Sequence, residues 1–187
     1  MQFKLGLLSA VFALVSATQV HAQVALEEGL SGALRGCEKW VLDPGSWSSG
    51  PASFVAAVGL GDRLGLVDHV EDANLPPKAF RQGNLYWRIN STPGAGYVLV
   101  VSDRLPMCHI TGGGDADLQP VAEAVLASSA FSSRWEKVDA SSKGDMISTR
   151  YRSLEDAGFS LIVSRAKQGN ARRDRVQVLA TAVYDAR

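Results

Sequence analysis

From Leu85 onward, strand-length segments follow one another at short intervals, with turns between them too short to hold a crossover helix. Residues 85–90 alternate in polarity and carry Tyr86 and Trp87. Thr92-Pro93-Gly94-Ala95-Gly96 is turn chemistry, 97–101 is a β-branched run, Asp103-Arg104-Leu105-Pro106 turns again, and 107–111 reads as a third strand. Four more strands are expected at 134–138, 146–152, 159–165 and 175–184, with turns at Asp156-Ala157-Gly158 and Gln168-Gly169-Asn170. Within 146–152, Ile147, Thr149 and Tyr151 alternate with Ser148, Arg150 and Arg152, the pattern of a strand with one wet face. Consecutive strands joined by short turns pair antiparallel. The expected fold is therefore α+β: an antiparallel sheet of about six to seven strands, helices packed on one face, and an N-terminal helical segment.

The helices are legible from a different period. Within 24–40, Leu26, Leu30, Ala33, Leu34, Cys37 and Trp40 recur at steps of three and four and share one face. Glu27, Glu28, Arg35, Glu38 and Lys39 take the other side. Gly29, Gly32 and Gly36 each weaken such a helix by about 1 kcal/mol relative to Ala and leave room for another element to approach. Asp43-Pro44-Gly45 ends the segment. Pro51 suits the first position of a second helix, which runs to Val58 and stops at Gly59. Residues 59–83 read as a loop-rich connection with one short strand. Gly112-Gly113-Gly114 reads as a break before a third helix, capped by Asp115 or Asp117, with Pro120 in its first turn. Leu118, Val121, Ala122, Val125 and Leu126 would form its apolar face, up to Ala130. No internal repeat of fixed period is visible.

The first 22 residues have the build of a cleavable export signal. Lys4 is their only charge, 5–17 is an apolar run too short for a permanent membrane helix, and Val20 and Ala22 stand at −3 and −1 of a cut before Gln23. The expected organisation is a signal peptide at 1–22 and a single exported α+β domain at 23–187, in the periplasm or outside the cell. An exported chain meets an oxidising compartment, so Cys37 and Cys108, 71 positions apart, are expected to form a disulfide.

Composition excludes some partners. Nineteen basic and nineteen acidic residues balance, which gives no electrostatic case for nucleic acid or an anionic membrane. No transmembrane anchor is expected after cleavage. No metal or cofactor is expected either, because the two cysteines are not spaced as C-x-x-C and no second ligand cluster accompanies them. The partner is read as an envelope protein or a small ligand, and the sequence does not set the oligomeric state.

Candidate site residues are few. Gly112, Gly113 and Gly114, read as a loop before a helix, could present backbone N–H groups to an anion, although Asp115 and Asp117 oppose that use. His109 and His69 are the histidines that remain after cleavage. Cys108 and His109 should point to opposite faces of their strand and not meet. Trp47, set in a Pro/Gly loop, is either an exposed contact or an anchor for that loop. Arg172 and Arg173, with Lys167 and Arg175, form a basic patch suited to an acidic partner, interrupted by Asp174. Asn90-Ser91-Thr92 matches a glycosylation acceptor. No catalytic signature appears. The sequence therefore points first to a non-enzymatic binding or interaction module. The alternative is a small cell-envelope hydrolase with His109 or His69 as base, and a structural component that assembles with itself is a weaker third reading.

Overall fold

The computed structural model describes residues 6–167 and 177–184, with side chains from Thr18 onward. Eight strands form one sheet: β1 (Leu64–Val67), β2 (Asn84–Asn90), β3 (Ala95–Ser102), β4 (Met107–Gly114), β5 (Trp135–Lys143), β6 (Met146–Ser153), β7 (Phe159–Ala166) and β8 (Val178–Tyr184). Their order across the sheet is β1-β2-β3-β4-β8-β7-β6-β5, and every neighbouring pair is antiparallel. The α+β expectation holds, with eight strands instead of six to seven. The additional one is β1, the short strand anticipated inside 59–83, which joins the edge of the sheet in register with β2.

The order is palindromic. Two four-stranded meanders, β1–β4 and β5–β8, stand back to back and join where β4 pairs β8. Helices precede each meander in the chain: α1 (Gly6–Leu42), α2 (Gly45–Ser48) and α3 (Pro51–Val58) before the first, α4 (Gln119–Ala127) and α5 (Ser129–Ser132) before the second.

The helix α1 buries the face that its periodicity assigned: Leu26, Leu30, Ala33, Leu34, Cys37 and Trp40 all lie in the core. The close approach expected at its glycines is present. A Cβ on Gly32 would stand 2.6 Å from Leu60, and one on Gly36 3.0 Å from Leu99. The disulfide Cys37–Cys108 ties α1 to β4, with its Cα atoms 5.5 Å apart. Pro51 and Gly59 bound α3 as expected, Gly59 taking φ +72 and donating its N–H to the Val55 carbonyl. The seam between α1 and the second meander is polar: Trp135 Nε1 donates to Glu38 Oε1 at 2.7 Å, and Arg134 pairs with the other carboxylate oxygen.

Three local expectations are corrected. Gly112, Gly113 and Gly114 lie within β4 and pair with Tyr97, Gly96 and Ala95 of β3. Glycine weakens a strand in isolation, but here a Cβ on Gly112 would sit 2.6 Å from the Tyr97 ring. The missing side chain is the space that Tyr97 occupies. Nor does Asp115 cap α4. Leu118 holds the cap position, and Asp117 Oδ1 accepts from the Gln119 N–H at 3.0 Å. Gln177, just before β8, does most of the fastening: its Oε1 accepts from the Leu118 N–H and its Nε2 donates to the carbonyls of Gly114 and Ala116. The helical stretch expected to reach Ala130 is divided at Ser128, whose Oγ accepts from the Phe131 N–H and caps α5.

The two sides of the sheet differ. Helices cover the inner side. On the outer side, the connection 68–83 reaches back over the first meander, where Thr111 Oγ1 donates to Asn74 Oδ1 at 2.7 Å. Val100, Met107, His109 and Thr111, all outward residues of β3 and β4, are buried. Outward residues of the second meander are open by comparison: Leu179, Thr181 and Val183 are half-buried, and Ile162 is exposed.

Candidate functional site

Strand alternation builds a cleft on the outer side of the first meander. In β2, Trp87 and Ile89 turn into the core, so Arg88 and Asn90 turn outward. Their neighbours in β3 are Val98 and Gly96, and beyond those in β4 come Thr111 and Gly113. Glycine at 96 and 113 leaves the floor as bare backbone, the setting in which a ligand approaches a sheet closely. The turn 91–95 forms one wall. It is held by Thr92, whose N–H and hydroxyl both donate to the Ala95 carbonyl while its Oγ1 accepts the Ala95 N–H. Asn74 closes the opposite side from the connection. The cavity measures about 230 Å³.

The chemistry of the lining has one sign. Arg88 is the charged residue among those that form the cleft, and no carboxylate is among them. Its side chain is exposed on the sheet and presents a planar fork of N–H donors. Asn74 accepts from Thr111 through Oδ1, which fixes the amide and leaves its NH₂ to donate. Asn90 adds a second amide, and Val98 and Pro93 add apolar surface.

The residues singled out in the sequence fall in several places. Gly113 floors the cleft, within a strand and not at a helix N-terminus. Gly112 faces inward against Tyr97 and Leu118. Gly114 adopts φ +124, and a Cβ there would meet the Gly94 carbonyl at 2.2 Å. Trp47 is the loop anchor: it stacks on Trp40 with ring centroids 4.4 Å apart and donates Nε1 to the Trp40 carbonyl at 2.9 Å. Arg172 and Arg173 lie outside the described residues.

His109 and Cys108 point to opposite sides of β4, as alternation requires. Cys108 is bonded to Cys37 in the core. The His109 ring is 1% exposed, its Nδ1 lies 2.8 Å from the Thr181 hydroxyl, and its Nε2 is buried without a hydrogen-bond partner among the described residues. Burial pushes its pKa down to about 4, so the ring is neutral above mildly acidic pH. His69 is exposed on the connection. Among the described residues no group of three or more His, Cys, Asp or Glu side chains is placed to hold a metal ion.

A second buried polar cluster sits beneath α4. Arg165 reaches inward from β7, donates Nε and Nη2 to the two carboxylate oxygens of Glu123 at 2.6 and 3.2 Å, and gives Nη1 to Thr149. Gln119 also donates to Glu123. The Arg165 guanidinium is satisfied within the fold by Glu123 and Thr149, so the cluster is an internal brace. Comparisons with protein-family models, with curated proteins and with solved structures found no match to this chain.

Proposed function

We propose that this chain is an exported, non-enzymatic binding module that holds a small polar ligand in the outer cleft. The cleft carries the reading: an exposed guanidinium and two amides gather over a glycine floor, and among the described residues no acidic side chain lines the space. Export is supported by the leader and by the disulfide, a bond that persists in oxidising compartments. Among the described residues no helix is long and apolar enough to cross a membrane. Among the described side chains of α1 the first buried one is Leu26, and residues 18–21, 23 and 24 are exposed. A cut after Ala22 therefore leaves the buried face of the helix whole. The hydrolase alternative has weaker support, since His109 is sealed beneath the outer surface and meets a threonine hydroxyl.

Two measurements test the proposal. Intact mass of the protein recovered from the cell envelope or medium should match a chain that begins at Gln23 and lacks two thiol protons. A cytosolic species that retains Met1 and two free thiols overturns the export reading. Amide resonances of Arg88, Asn90, Gly96 and Gly113 should move together when ligand libraries are added. Ligands that move other surfaces and leave these four unchanged overturn the choice of site.

A further inference from the structure

We infer that the cleft recognises a small hydroxylated carboxylate, of which a sugar acid is the representative class; this rests on the binding-module reading above. Three observations lead there. The first is charge: among the described residues Arg88 is the charged side chain of the lining, and the Asp115 carboxylate, which stands beside Gly94, is not part of it. A guanidinium offers a planar fork that matches a carboxylate with two parallel hydrogen bonds. The second is the set of neutral polar groups. Asn74 is fixed by Thr111 so that its NH₂ donates, and the Asn90 amide both donates and accepts. Such groups suit the hydroxyls of a polyol and give little to a bare anion. The third is size and surface. A space of about 230 Å³ lies below the usual range for drug-sized ligands and admits a single sugar ring. Val98 and Pro93 offer apolar surface to the C–H face of such a ring.

The cleft's position favours selectivity over strength. It opens to solvent, so salt screens the charge attraction, and the two parallel hydrogen bonds of the fork carry the preference for a carboxylate. Discrimination comes from the fork and the amides acting on one molecule. Two sources share this chemistry, a free sugar acid and the end of an acidic polysaccharide.

Calorimetric titration of the full secreted protein separates the cases. The probes are galacturonate, its neutral twin galactose, inorganic phosphate and trigalacturonate. Galacturonate should bind saturably and at least tenfold more tightly than galactose or phosphate. Arg88→Gln should lower galacturonate affinity at least tenfold and leave galactose unchanged, and Arg88→Lys should recover only part of the loss. Asn90→Asp, which places a carboxylate in the lining, should weaken galacturonate again. Arg88 is exposed, so the unfolding midpoint of Arg88→Gln should match that of the parent. Tighter binding of trigalacturonate identifies a polymer end, and equal binding identifies the free acid. Either result supports the inference. Equal affinity for galacturonate and galactose, equal affinity for galacturonate and phosphate, or indifference to Arg88→Gln overturns it. If none of the probes binds but another ligand moves the cleft resonances, the sugar-acid inference falls and the binding module stands. If no ligand moves them, both fall.

Discussion

Val100 of β3 and Ile162 of β7 occupy matching places in the two meanders. Both face the outer side, in the cross-strand row where His109 meets Thr181 at the β4–β8 junction, one strand away on either side. Yet Val100 is 0% exposed and Ile162 is 45% exposed. The first meander lies between a helix layer and the connection 68–83, so its sheet is covered on both sides, and a disulfide fastens it to α1. The second is covered on its inner side, and there it tolerates a charged pair, Arg165 with Glu123. One topology has thus been used for an enclosed half and a half-open one. The cleft lies at the margin of the enclosed half, where Asn74 of the connection meets Thr111 of β4.

The sharpest way to break this comparison is to place a charge at the matching positions. Val100→Lys buries an unpaired ammonium and should cost more than about 4 kcal/mol, enough to prevent folding. Ile162→Lys should stay within about 0.5 kcal/mol, and urea unfolding of the two variants reads the difference. Equal effects would show that the outer sides are not distinct.

Removal of the disulfide by Cys37→Ala with Cys108→Ala comes next. A bridge between residues 71 apart is worth about 4 kcal/mol on the chain-entropy model. Hydrogen exchange should show the loss greatest in α1 and β2–β4.

Acid then probes the same half. The His109 pKa is held at about 4, below its ordinary 6.5, so its contribution is complete above pH 6.5 and is lost as pH falls towards 4. The full loss is on the order of 3 kcal/mol. Stability of the parent and of His109→Gln, measured from pH 7 to 4, should converge as the pH drops. Parallel curves would refute the assignment.

The smallest effect belongs to the second half. Glu123→Ala leaves Arg165, whose side chain is 8% exposed, without its carboxylate and should cost about 2 kcal/mol. Replacing both, as Glu123→Leu with Arg165→Met, should restore most of the loss, because an apolar pair of similar volume avoids the buried charge.

Local periodicity carried much of this architecture. The buried face of α1, the Pro51 and Gly59 limits of α3 and the outward alternation of 146–152 all follow from spacing within one segment. What escaped depends on partners far along the chain. β5 continues past Val138 through Asp139-Ala140-Ser141-Ser142-Lys143, a polar run with no alternating pattern that is held by pairing with β6. The glycines at 112–114 resemble a loop until Tyr97 is seen to need the space. Trp47 stood between two readings because the ring that receives it, Trp40, lies across the turn after α1. The cleft was not visible at all, since Asn74, Arg88 and Thr111 come from three separate segments and each is unremarkable in its own. Gly113 drew attention for a helix terminus that it does not adjoin.

The place of β8 has a consequence for how the molecule is made. Among the described strands it comes last in the chain, yet it lies in the interior of the sheet, between β4 and β7. Without it those two strands present unpaired backbone edges, and the second meander lacks its fourth strand. A nascent chain that lacks residues from Val178 onward therefore has no complete sheet to settle into.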